Sequence, residues 1–161
     1  MGGHPYWYVV PYESDIDAAL QGLRQREFEA GRYSPVIPVP KFPIGPDSPS
    51  PGRQHASIEE AILSTEGEGT RSILDMVNGV LPKPYKLDPD QRDMDARFLG
   101  VSPLAEGDLI DLFGDTKPSR QVVVEDLSTL WHHVDRGTAI YVVLHSDGEP
   151  REIFFLGYSL D

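Results

Sequence analysis

Residues 139–158 read Ala-Ile-Tyr-Val-Val-Leu-His-Ser-Asp-Gly-Glu-Pro-Arg-Glu-Ile-Phe-Phe-Leu-Gly-Tyr, and this stretch decides the fold. Two runs rich in β-branched and aromatic residues, Thr138 to His145 and Glu152 to Tyr158, flank Ser146-Asp147-Gly148-Glu149. Asp-Gly is the dipeptide of the tight hairpin turn, because both residues tolerate positive φ. Ala139 to Leu144 and Ile153 to Leu156 are apolar at successive positions rather than alternate ones. Strand side chains alternate between faces, so a strand apolar throughout must be covered on both. The hairpin is therefore expected at the centre of a sheet with layers on either side.

Outward from the hairpin, Leu127, Leu130, Trp131 and Val134 fall at helical spacing before a stop at Gly137. Gln121 to Glu125 carries three successive valines and fits either a strand or a helix. Ser102-Pro103 reads as a cap followed by proline at the first helical position. Leu104, Ala105, Leu109, Leu112 and Phe113 then make one face, closed by Gly114. At the other end, Tyr6 to Val10 reads as a strand stopped by Pro11. Ser14 and Asp17 form a capping box for a helix from Asp15 to Ala30, ended by Gly31. Ser57 and Glu60 form a second box, and Thr70 to Val77 reads as a strand.

Two segments are irregular. Ser34 to Gly52 holds seven prolines, yet Val36, Ile37, Val39, Phe42 and Ile44 sit among them. Prolines remove amide donors, so neither helix nor central strand fits. The apolar content predicts an extended arm packed on the domain, as opposed to a solvated linker or a ligand for an aromatic groove. Gly79 to Gly100 is rich in proline and aspartate and reads as a long acidic loop. The whole is one α+β domain over 1–161. It has a largely antiparallel sheet, a central C-terminal hairpin, three to four helices, the arm at 34–52 and the loop at 79–100.

The 161 residues carry 26 acidic and 14 basic side chains, a net charge of −12. That balance argues against nucleic acid and anionic lipid as partners. No apolar run approaches the ~20 residues of a membrane span, and Met1 to Val10 lacks the pattern of a signal peptide. The chain contains no cysteine, so thiol nucleophiles and zinc-thiolate sites are excluded. A cytoplasmic protein is expected.

Motifs with specific chemistry fail on inspection. There is no phosphate loop, nucleophile elbow or metalloprotease pair of histidines. Asp88, Asp90, Asp93 and Asp95 imitate the start of a calcium loop. Asp93 stands where the sixth-position glycine belongs, and Leu99 where the glutamate belongs. No cofactor and no metal are expected. Two functional readings remain. In the first, the chain binds another, basic protein. Asp88, Asp90, Asp93, Asp95, Glu106, Asp108 and Asp111 then make a negative face, since 88–115 holds eight carboxylates against two arginines. In the second, Arg71 and Asp75 join a histidine, His133 or His145, in a polar site for catalysis or a small ligand. The bland counterpart of that second reading is a structural bridge from Arg71 to an acidic neighbour.

The blocks Tyr6 to Tyr12, Ala18 to Tyr33, Phe42 to Pro46, Gly69 to Asp75 (Gly-Thr-Arg-Ser-Ile-Leu-Asp) and Glu152 to Ser159 resemble a family of small bacterial proteins without an assigned activity. The resemblance implies a bacterial, cytosolic, single-domain protein and supplies no catalytic residues. In size and acidity the chain is also similar in kind to small immunity proteins and antitoxins, an analogy of composition.

Overall fold

The computed structural model describes residues 3–38, 43–45, 47–93 and 95–160. Four strands form one sheet in the order β1-β4-β3-β2. They are β1 Pro5–Pro11, β2 Val101–Pro103, β3 Ala139–Ser146 and β4 Glu149–Tyr158. The hairpin of β3 and β4 is central, as its two-sided apolar pattern requires. Asp147 and Gly148 turn it at φ 53° and 76°, the left-handed pair of a type I′ turn. β4 pairs antiparallel with both β1 and β3, whereas β2 pairs parallel with β3. The fold is α+β with a mostly antiparallel sheet.

Each face of the hairpin carries its own core. Ile153 and Phe155 are buried with Leu20, Leu23 and Phe28 of α1 (Ile16–Ala30), Ala61 of α2 (Ile58–Leu63), and Ile73 and Leu74. Phe154 and Leu156 are buried on the other side. There they meet Leu109, Leu112 and Phe113 of α3 (Glu106–Phe113), Val123 of α4 (Arg120–Glu125) and Leu130 of α5 (Leu127–His133). Each such side chain contributes roughly 1.5–3 kcal/mol of burial. Among the described residues no helix is long and apolar enough to cross a membrane.

Several local expectations are corrected. The cap of α1 is Asp15 rather than Ser14, with its carboxylate accepting the Ala18 N–H at 3.0 Å. Asp17, expected to complete the box, instead accepts the Val80 N–H at 3.0 Å. Thr70 to Val77 is not a strand. It is a 3₁₀ turn at Ile73–Asp75 with Ile73, Leu74 and Met76 all buried. Side chains satisfy this backbone: Ser72 Oγ accepts the Leu74 N–H, and Arg24 donates to the Leu74 carbonyl. No partner strand is needed for those groups. Ser102-Pro103 does not open a helix but lies in β2, its register set by Ala139 to Tyr141. The helix begins only at Glu106, with no side-chain cap. Gln121 to Glu125 is helical, and Ser119 caps it.

The proline-rich arm is not continuously extended where it is described. Ile37 donates its N–H to the Tyr33 carbonyl in a turn, and Ile37 and Ile44 are both buried. Ile44 bridges Tyr6 beside β1. Val39, Pro40, Lys41, Phe42 and Pro46 of this arm lie outside the described residues. The 79–100 segment is anchored rather than wholly exposed, because Tyr85, Leu87 and Arg97 are buried.

Candidate functional site

Arg71 and Asp75 do come together, in the loop that leaves α2. Glu66, Gly67, Gly69 and Arg71 all have positive φ, between 54° and 94°. Two of the four are not glycine, so the backbone there carries strain. The loop turns around one carboxylate. Asp75 Oδ1 accepts the Thr70 N–H at 2.8 Å and the Thr70 hydroxyl at 2.7 Å. Oδ2 is buried and has no hydrogen-bond partner. Burial pushes the Asp75 carboxyl above its ordinary range, and the donors from Thr70, the Arg71 backbone and the charge of Arg24 pull against that shift. Among the described residues Arg71 makes no ion pair, so the expected bridge to an acidic neighbour is not formed there. Its Nε is buried without a partner, although the residue as a whole is half-buried.

The histidines do not join them. His133 ends α5 against the opposite core, and its carbonyl accepts from the Tyr85 hydroxyl. His145 sits at a bulge in β3, with its N–H on the Pro118 carbonyl. It borders a cavity of about 280 Å³ that also holds Arg120, Glu152 and Ser119. Arg120 and Glu152 pair at 3.0 Å and Ser119 is committed to capping α4, so no nucleophile and base are matched there. Among the described residues no three His, Asp or Glu side chains gather as a metal site would need.

The acidic residues divide by role. Asp90, Asp93, Asp95, Glu106 and Asp111 are exposed. Asp88 is exposed too, but it caps the 3₁₀ turn Pro89–Gln91. Asp108, expected in the negative face with the others, departs from full exposure. It is half-buried, and its carboxylate accepts the Leu87 N–H. The two arginines of this stretch are withdrawn. Arg92 pairs with Asp135 and donates to the Tyr85 hydroxyl and the Lys86 and Leu87 carbonyls. Arg97, 1% exposed, lies over the Tyr85 ring with its guanidinium 5.2 Å from the centroid. The carboxylates thus face solvent while these two arginines lie beneath, although the exposed Lys83 pairs with Asp93 at 3.9 Å.

Ile110 was absent from the helical-face reading of α3. It is 52% exposed at the middle of the helix. Gly107 precedes it by three residues and Gly114 follows it by four, and a Cβ added at either would meet nothing within 4 Å. Glu106, one turn back, shares that exposed side, while the exposed Asp111 lies about 100° round the helix. The glycine spacing is visible in the sequence, and the apolar face read there leaves Ile110 out, as its exposure requires.

No protein-family model, curated protein or solved structure matches the chain.

Proposed function

We propose that the protein is a protein-binding module whose acidic surface over 88–115 docks on a basic protein in the cytoplasm. It would act as an immunity protein or antitoxin does, by neutralising that partner. One observation supports the reading: Ile110 is half exposed between the exposed glycines Gly107 and Gly114, one turn from the exposed Glu106. An apolar centre with a charged rim is the anatomy of a protein interface. The rim charges would speed encounter with a positive partner, and the isoleucine would anchor it.

The test compares immobilised wild-type chain with Ile110→Asp and Asp111→Lys in extracts of the source cell. The reading expects a basic protein that wild type retains at low salt and that both variants lose. A partner held equally by all three would remove this face from its binding. A second reading, a small-ligand site, rests on Asp75 and on no histidine.

A further inference from the structure

Each outer strand of the sheet has one edge that no other strand pairs. The fold covers the edge of β2 along its length. Val80 and Tyr85 bridge to Val101 and Leu104 there. The N–H groups of Leu81 and Tyr85 donate to the Val101 and Pro103 carbonyls at 2.8 and 2.6 Å. The edge of β1 is covered at Tyr6 by Ile44, and among the described residues no bridge continues from Tyr8 to Pro11.

The ladder decides which groups lie open. The Ser159 N–H donates to the His4 carbonyl beyond one end of β1, and the Tyr12 N–H to the Arg151 carbonyl beyond the other. Alternate residues of an antiparallel strand bond the same neighbour, so Tyr6, Tyr8 and Val10 turn their backbone groups to β4. Val9, half-buried, turns its N–H and C=O outward, and no described residue bonds either. Pro11 is exposed and offers a C=O alone, which blunts the end of the edge without closing it at Val9. A groove of about 350 Å³ lies between this part of β1 and Leu23, Arg26 and Glu27 of α1. Arg32 also lines it and grips Glu27 through bonds of 2.7 and 2.8 Å. Arg26 is exposed and makes no ion pair among the described residues. The groove thus presents an unpaired strand edge beside an unneutralised arginine, in a chain of net charge −12.

We infer that this groove receives an extended peptide of another protein, added antiparallel to β1, with an acidic side chain on Arg26. One antiparallel residue opposite Val9 closes both of its bonds. The residues flanking it project as Tyr8 and Val10 do, into the α1 side of the sheet, where Arg26 stands. Main-chain bonds hold any extended segment, and the arginine selects an acidic one. A second copy of this chain is a poorer occupant, because two molecules of net charge −12 repel. The groove borders α1, across the sheet from α3, so the inference stands independently of the acidic face.

The probe is the capped pentapeptide acetyl-Thr-Val-Glu-Val-Thr-amide, titrated into the full chain and followed by NMR. Before it is added, the Val9 amide should exchange with solvent at least about tenfold faster than those of Tyr8 and Val10. The peptide should give saturable shifts at Val9 and Arg26 and slow the Val9 exchange. A glutamine analogue should bind at least about threefold more weakly. N-methylation of both valines, whose amides face β1, should abolish binding, whereas N-methylation of the glutamate, whose N–H points away, should not. Arg26→Glu changes an exposed side chain, so the fold should survive, and the variant should prefer a lysine analogue to the glutamate peptide. A protected Val9 amide in the chain alone, or one that becomes protected as protein concentration rises, would overturn the inference. So would absence of saturable shifts, equal binding of the glutamine analogue, an unchanged preference in Arg26→Glu, tolerance of methylated valines or loss of binding on methylating the glutamate.

Discussion

Asp108 accepts the backbone N–H of Leu87 at 3.0 Å, joining the first turn of α3 to the acidic segment 79–100 across 21 positions. The two elements that present the negative face are therefore held to each other by one of its own carboxylates. Asp108 is a structural member of that face, whereas Asp111 is a surface charge.

The pair predicts opposite outcomes for two similar substitutions. Asp108→Ala should lower unfolding free energy by about 1–2 kcal/mol, since it strands the N–H of Leu87. Asp111→Lys should change it by less than about 0.5 kcal/mol. Urea unfolding of both variants checks this, and equal effects would contradict the assigned roles.

Ile110→Ala should leave the melting temperature near that of the parent, because half of the residue is already in water. Its affinity for the basic partner should nevertheless fall by about tenfold, the loss of an interface anchor. Association of the parent should slow as salt is added, since exposed charges are screened. Surface-plasmon kinetics at two ionic strengths would read both effects.

Gly157→Ala should cost about 1–3 kcal/mol. The added Cβ would lie 2.7 Å from the Ala139 Cβ and from the Tyr6 hydroxyl, and 2.8 Å from the Thr138 carbonyl. Strands β1, β3 and β4 meet there, so there is little room to yield. Thermal unfolding of the single variant measures the effect.

Alkaline pH should unfold the protein cooperatively. Burial raises the phenols of Tyr6 and Tyr8 well above 10, so both keep their protons in the native state. The unfolded chain releases those protons from about pH 10 upward and binds fewer than the native state does. Stability therefore falls as pH rises above about 10. Tyrosinate absorbance should show the last two phenols ionising together with the loss of circular dichroism. Their independent ionisation in a folded protein would disprove the burial argument.

The parts of the fold legible in the sequence are those where one pattern governs many residues. The hairpin has unbroken apolarity on both strands, and α1 has a full face from Ile16 to Phe28. The misread parts are short and decided by single side chains. Thr70 to Val77 has the composition of a strand, but Ser72, Asp75 and Arg24 satisfy its turns instead. Ser102-Pro103 has a helix-start pattern, yet three residues beside β3 gain more from pairing. At the candidate sites, sequence named Arg71, Asp75 and the acidic residues. It could not show that Asp75 has one idle oxygen, that no histidine approaches it, or that Asp108 turns inward, because each depends on contacts between distant segments.

The position of β4 between β1 and β3 sets the timetable of synthesis. β1 is made well before its partner; the backbone N–H of His4 donates to the Ser159 side chain 155 positions later. At ~5–20 residues per second, β1 leaves the ribosome roughly 8–30 s before that partner exists. During that interval Tyr6, Trp7 and Tyr8 belong to an unpaired, aromatic strand. The sheet can close only once β4 has been made, so a ribosome stalled before residue 149 would hold a chain with an unpaired β1 and an incomplete core.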